Sequence, residues 1–110
     1  MVQYSSAELD AAFAAVADPT RRGILERLGK SEASVSDLAA VFDMSLTGMK
    51  KHLTLLEDVQ LVTTEKTGRV RTCRLGPRRL EREAAWIEKC QRLMDDRFNR
   101  LEALLERNKE

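Results

Sequence analysis

From residue 78 to about residue 107 the chain has neither glycine nor proline, and Leu80, Ala84, Ile87, Gln91, Met94, Phe98, Leu101 and Leu105 recur at alternating spacings of four and three. That period belongs to one continuous helix with an apolar seam. Trp86, Leu93 and Leu104 add a second stripe beside it. A helix over 78–107 would be ~45 Å long at ~1.5 Å per residue. A domain of this size is only ~26 Å across. Part of the apolar face therefore outruns anything its own monomer can supply. The expectation is a homodimer joined through this helix and the first one, with Leu9, Phe13, Trp86, Ile87, Met94, Phe98, Leu101 and Leu105 in the interface.

The remaining residues read as a small α-rich unit, and a length of 110 residues suits a single domain over 1–110. Leu9, Phe13 and Val16 place an amphipathic helix over 6–17. Asp18-Pro19 offers a cap and a first-turn proline for a second helix ending near Gly29. Ser34 followed by Asp37 fits a capping box for a short third helix that buries Val35, Leu38, Ala39 and Phe42. After a tight connection at Asp43-Met44, Ser45 caps a fourth helix with Leu46, Met49, Leu53 and Leu56 on its buried face. Two helices joined by about three residues, over 34–58, form a helix-turn-helix. Residues 61–75 change to a period of two around Thr67-Gly68, a β-hairpin placed as a wing. Cys73 and Leu75 point the same way along it. The expected fold class is mainly α with a small β-hairpin: a winged helix-turn-helix with flanking helices.

Net charge is only +1, but residues 64–82 hold seven basic side chains against two acidic ones, a local +5. A stripe of that kind is a phosphate footprint. The start of the chain lacks a signal-peptide pattern, and no apolar run reaches the ~20 residues of a bilayer span. Two cysteines without close spacing, Cys73 and Cys90, argue against a disulfide framework. A cytoplasmic location without membrane contact follows as the expectation. No nucleophile–base pair, glycine-rich phosphate loop or metal cluster supports an enzyme, and no catalytic residue or cofactor is assigned.

Three segments in order now resemble the ArsR/SmtB family of bacterial winged-helix repressors. FAAVADPTRRGILERL (13–28) is similar to the family's opening signature. VSDLAAVFDMSLTGMKKHLTLLEDVQLV (35–62) is similar to its helix-turn-helix block, and GRVRTCRL (68–75) to its wing. The resemblance spans about 9–107. It implies a homodimeric repressor that binds a pseudo-palindromic double-stranded DNA operator near the genes it controls. A signal would release it; an unknown small-molecule effector and a thiol modification are the candidates, and expression level alone is the alternative to any ligand. Major-groove geometry and the family's wing then nominate the DNA-binding residues. Thr47, Lys50 and Lys51 face the groove, with Thr54 one turn on. Ser36 and Ser45 open helices towards phosphate, and His52 lies on the flank, bonding backbone or phosphate or responding to pH. Arg69, Arg71 and Arg74 belong to the wing. Arg78, Arg79 and Arg82 open the long helix, against its dipole, for DNA flank contacts or salt bridges.

The family's metal-binding members carry a Cys-Val-Cys-Asp-Leu block where this chain reads Ser34-Val35-Ser36-Asp37-Leu38. Neutral hydroxyls are poor ligands for zinc or thiophilic metals. A second family site uses Asp/His pairs on the last helix, which here has Asp95, Asp96 and Glu102 but no histidine. No metal site is assigned, and the expected repressor is not metal-responsive. Two alternatives remain: a thiol-responsive repressor using Cys73 or Cys90, and a protein-interaction dimer that binds no DNA. Gly48 and Lys50 depart from the family's usual small residues in the reading turn, so operator sequence is the property carried over least.

Overall fold

The computed structural model describes residues 6–108. The parts of the 1–110 domain reading that fall on residues 1–5 and 109–110 lie outside them. The chain divides into two compact units, one up to Arg79 and one from Leu80.

In the first unit, helices begin where the sequence supplies caps. α1 (Ser6–Ala17) is followed directly by α2 (Pro19–Leu28). Between them Asp18 has extended backbone, and its Oδ2 accepts the Arg21 N–H at 3.0 Å. That bond, with the charge of the Arg21 guanidinium, holds the Asp18 carboxyl below the usual carboxylate range. Ser34 Oγ accepts the Asp37 N–H at 3.0 Å and opens α3 (Val35–Val41). Ser45 Oγ accepts the Gly48 N–H at 3.0 Å and opens α4 (Leu46–Asp58). Asp43 adopts a left-handed φ of 52° in the turn between them, a conformation its short polar side chain tolerates. Gln60 does the same after α4, where the Leu61 N–H returns to the Leu56 carbonyl at 3.0 Å.

The core gathers Ile24 and Leu28 from α2, Val35, Leu38 and Ala39 from α3, and Met49, Leu53 and Leu56 from α4. Two expectations about facing are corrected. Leu46 is 48% exposed, because it stands in the first turn of α4, beyond the core. In α1 the fully buried positions are Ala12 and Ala15, while Leu9, Phe13 and Val16 are half-buried. The small alanines take the deepest positions of the helix.

The sheet has three strands rather than a hairpin's two. β1 (Ala33–Ser34), β2 (Val62–Thr67) and β3 (Val70–Leu75) pair antiparallel in the order β1-β3-β2. Ala33 lies opposite Cys73, and Ser34 opposite Thr72. A two-residue strand has no period to read, so the sequence does not announce β1. Thr67 pairs with Val70 across the two-residue loop Gly68-Arg69, and Gly68 has φ +63°, which glycine adopts without steric cost. Cys73 is fully buried but Leu75, two residues on, is 46% exposed at the strand's end.

The second unit is α5 (Glu81–Arg107), 27 residues without interruption. It starts later than the sequence suggests: Arg78 and Arg79 precede it, and Glu81 and Glu83 occupy its first turn, with Arg107 in its last. Glu81 and Glu83 therefore agree with the helix dipole, while Arg82 between them keeps the expected conflict. Gln91 donates to Asp95 at 3.0 Å, and Arg92 pairs with Glu88 at 3.2 Å, one turn apart. The apolar stripe lies open, with Met94 at 64% and Phe98 at 69% exposure. Among the described residues no helix is long and apolar enough to cross a membrane.

At the base of the hairpin the Gly76 N–H bonds to the Leu61 carbonyl at 2.8 Å. A Cβ at position 76 would overlap the Gln60 carbonyl oxygen and stand 3.0 Å from the Leu61 carbonyl carbon. Backbone on both sides leaves nothing soft to yield. Gly76→Ala is expected to lower unfolding free energy by about 1–3 kcal/mol, read from urea denaturation against the wild type.

Candidate nucleic-acid interface

α4 buries Met49, Leu53 and Leu56, so its opposite side must face out. Thr47, Lys50, Lys51, Thr54 and Leu55 line that open side together. All five are exposed. Thr54 Oγ1 donates to the Lys50 carbonyl at 2.9 Å, which fixes its rotamer. The exposed Leu55 is absent from the sequence reading, which followed charge along the helix. Gly48 is half-buried, and a Cβ there would lie 3.2 Å from the capping Ser45 Oγ. The departure from the family's usual residue thus sits against the cap itself.

Beside α4 a groove of about 380 Å³ runs between the helix-turn-helix and the wing. Its walls bring together Ser36 at the start of α3, Lys50 of α4, and Arg69 and Arg71 of the wing. Lys66, Leu46 and Val70 line it as well. The sequence reading passed over Lys66, although strand alternation held the signal: Lys66 pairs with Arg71 in the hairpin register and shares its face. The ammonium groups of Lys50, Lys51 and Lys66 and the Arg69 guanidinium make no ion pair among the described residues.

Arg71 reaches Thr64 Oγ1 at 3.0 Å, and Thr64 in turn donates to Glu57 Oε2 of α4 at 3.2 Å. This relay ties the wing to α4. Arg74 does not join it. Strand alternation places Arg74 on the other face of the sheet, where it meets Glu32 and Glu65 at 3.4 Å each. Its nearest charged partners are thus these two exposed carboxylates, and it does not line the groove beside α4. Arg78 is likewise turned inwards, donating to the Val59 carbonyl at 3.3 Å.

His52 keeps its expected place on the flank, and its partners there lie within the chain. Its ring is half-buried on the flank of α4, with Nδ1 3.1 Å from Arg21 Nη1 and 3.9 Å from Asp18 Oδ2. It packs towards α2 and is not part of the open face.

Both cysteines are free. Burial, reinforced by nearby Glu57, pushes the Cys73 thiol up to about 11. Thiolate is the reactive form, and Cys73 stands here as a buried core side chain. Cys90 is half-buried on α5. No group of three or more His, Cys, Asp or Glu side chains gathers as a metal site among the described residues. Ser34, at the position of a family thiolate, spends its oxygen on the α3 cap.

Residues 16–65 match the family model described as a helix-turn-helix domain. A solved ArsR family transcriptional regulator, RHA00566, is 43% identical, with 86% of this chain and 97% of that one covered, at a TM-score of 0.76. The HTH-type transcriptional regulator Rv2034 of Mycobacterium tuberculosis is 37% identical over 62% of this chain and 64% of its own length. The transcriptional repressor SdpR of Bacillus subtilis is 32% identical over 51% of this chain and 62% of its own. The chain thus spans somewhat less than two thirds of these two curated relatives.

Proposed function

From the premise that the chain belongs to the ArsR family of winged helix-turn-helix transcriptional regulators, we propose that it is a homodimeric repressor of a double-stranded DNA operator and needs no metal to bind it. One observation carries the reading: the open face of α4 and the basic groove beside it share Lys50 and form one continuous cationic surface. An α-helix fits the major groove, and its first turns meet base edges. Thr47, Lys50 and Lys51 occupy those turns. Arg69 at the wing tip extends towards the neighbouring minor groove, whose negative potential attracts arginine. Ser36, Ser45, Lys66 and Arg71 complete the phosphate contacts. Both carboxylates near Arg74 face away from this surface, on the opposite side of the sheet.

The dimer rests on the exposed stripe of α5, where Trp86, Ile87, Met94, Phe98, Leu101 and Leu105 are each about half exposed or more. A contiguous apolar face of this kind marks a surface that another protein covers. A second copy supplies an identical seam, and a two-fold dimer matches a pseudo-palindromic operator with half-sites about one DNA turn apart. The half-buried Leu9 and Phe13 of α1 belong to the same proposal. Repression is supported by the likeness to a protein named as a repressor. Independence of metal is supported by serine at the family's thiolate positions.

Lys51→Ala is expected to lower specific binding by about 1–3 kcal/mol and to change base preference at one position of each half-site. Arg69→Ala should instead weaken all sequences alike and flatten the plot of log K against log salt by about one unit. Selection from a random duplex pool followed by salt titration reads both. An unaltered motif removes Lys51 from base readout, and an unaltered slope removes Arg69 from phosphate contact.

Phe98→Glu places a charge in the middle of the exposed seam. Sedimentation equilibrium should show a shift from dimer to monomer at micromolar concentration with the helical circular dichroism of the first unit retained. A dimer of unchanged affinity would reassign the α5 face.

A further inference from the structure

Arg21 touches three helices. Its backbone N–H is capped by Asp18 at the start of α2. Its Nε donates to the Ala15 carbonyl at 2.7 Å and its Nη2 to the Ala14 carbonyl at 3.1 Å, both in the last turn of α1. Its Nη1 lies 3.1 Å from Nδ1 of His52 on α4. Guanidinium only donates and stays charged at any ordinary pH. The contact therefore requires His52 Nδ1 to be the acceptor, with the ring neutral and its proton on Nε2.

We propose that Arg21 and neutral His52 are the positioning pair of the recognition helix, and that a proton on His52 releases α4 from the end of α1. The proposal rests on the DNA-binding reading of α4. A proton taken from solvent onto Nδ1 removes the acceptor of the Arg21 bond and leaves two cations 3.1 Å apart. Arg21 cannot give up its own proton. The imidazolium turns to Asp18 Oδ2, now 3.9 Å away, as the nearby acceptor. Arg21 keeps its two carbonyls on α1 and loses α4. Asp18 and Arg21, both from the start of α2, are the charged groups against the ring. α3 and β2, which also pack on α4, bring no charged side chain to it among the described residues. On its own helix Lys51 adjoins it in sequence but belongs to the open face. The ring is 23% exposed, so solvent protons reach it. Histidine is the side chain that changes charge in the physiological range.

The direction of the effect separates this device from simple electrostatics. An added positive charge on a DNA-binding protein strengthens binding to every sequence. Release of α4 weakens binding to the specific site alone. The probe is the tightest duplex selected from a random pool by the wild type at pH 8, with an unrelated duplex as control. At constant ionic strength, specific affinity should fall at least ten-fold between pH 8 and about pH 5.5, without a fall for the unrelated duplex. His52→Gln offers Arg21 an acceptor that takes up no proton. Whatever its affinity at pH 8, it should keep that affinity on acidification. Arg21→Met should bind more weakly at pH 8 and show no further loss. A wild-type profile that is flat or rises on acidification, or one that His52→Gln shares, overturns the proposal.

A second readout needs no DNA. His52 is the one histidine in the sequence, so its imidazole nitrogens are identified in a ¹⁵N spectrum without assignment. At pH 8 Nδ1 should show the shift of an unprotonated acceptor, and Arg21→Met should move it. A protonated Nδ1 at pH 8, or a shift indifferent to Arg21, also overturns the pair. If no duplex is selected at all, the DNA-binding reading fails, while the nitrogen shifts still decide whether the latch exists.

Discussion

The molecule turns on the fact that α4 is buried on one side only. Met49, Leu53 and Leu56 pack among Ile24, Leu38 and Val62 of the core. Three buried side chains of this size contribute on the order of 5–8 kcal/mol of transfer free energy, enough to set which way the helix faces. Once that side is committed, a period of 3.6 residues sends Thr47, Lys50 and Lys51 outwards without choice. The caps do the remaining work. Ser45 decides where the helix begins, and so which residues occupy its first turns. A one-residue shift of that start would change which residues lie in the first turn but, with the buried side unchanged, not which way they face.

The sheet applies the same logic with a period of two. Alternation puts Lys66, Arg71 and Cys73 on the face turned to the helix-turn-helix, and Glu65 and Arg74 on the other. A basic segment that looks uniform in the sequence is thereby divided. One part joins the groove beside α4. The other pairs with Glu32 and Glu65, where exposed ion pairs contribute little to stability. The Arg71–Thr64–Glu57 relay adds a polar tie between wing and helix. Its two hydrogen bonds restrict where Arg71 can reach.

Much of the fold was legible in the sequence because its signals are local. Caps at Asp18, Ser34 and Ser45, the turn at Gly68 and the apolar stripes each report on a few neighbouring residues, and the elements appear where these signals stand. β1 was not legible, since two residues carry no period. Its pairing with Cys73 and Thr72 depends on chain separated by about forty positions. The outward facing of Thr47, Lys50 and Lys51 was legible, because helix geometry alone decides it. The surroundings of His52 and Arg74 were not legible, because their partners come from α2 and from Glu32 and Glu65. Charge on a sequence says that a side chain can meet phosphate. It does not say whether a carboxylate or a guanidinium has taken the place first.

By itself, then, the sequence determined the order of elements, their caps, the family, and the side chains that α4 must turn outwards. The family rested on the resemblance of three segments; the rest follow from contacts within a turn or two of the same helix, or from the alternation of a single strand. Tertiary structure decided what distant residues do to one another. It turned Arg74 away from the groove, sealed Cys73 in the core, brought Lys66 beside Arg71, and set Arg21 between the end of α1 and His52. Those outcomes depend on where separate elements meet in space. The energy of each meeting is spent on groups that local patterning treats as independent.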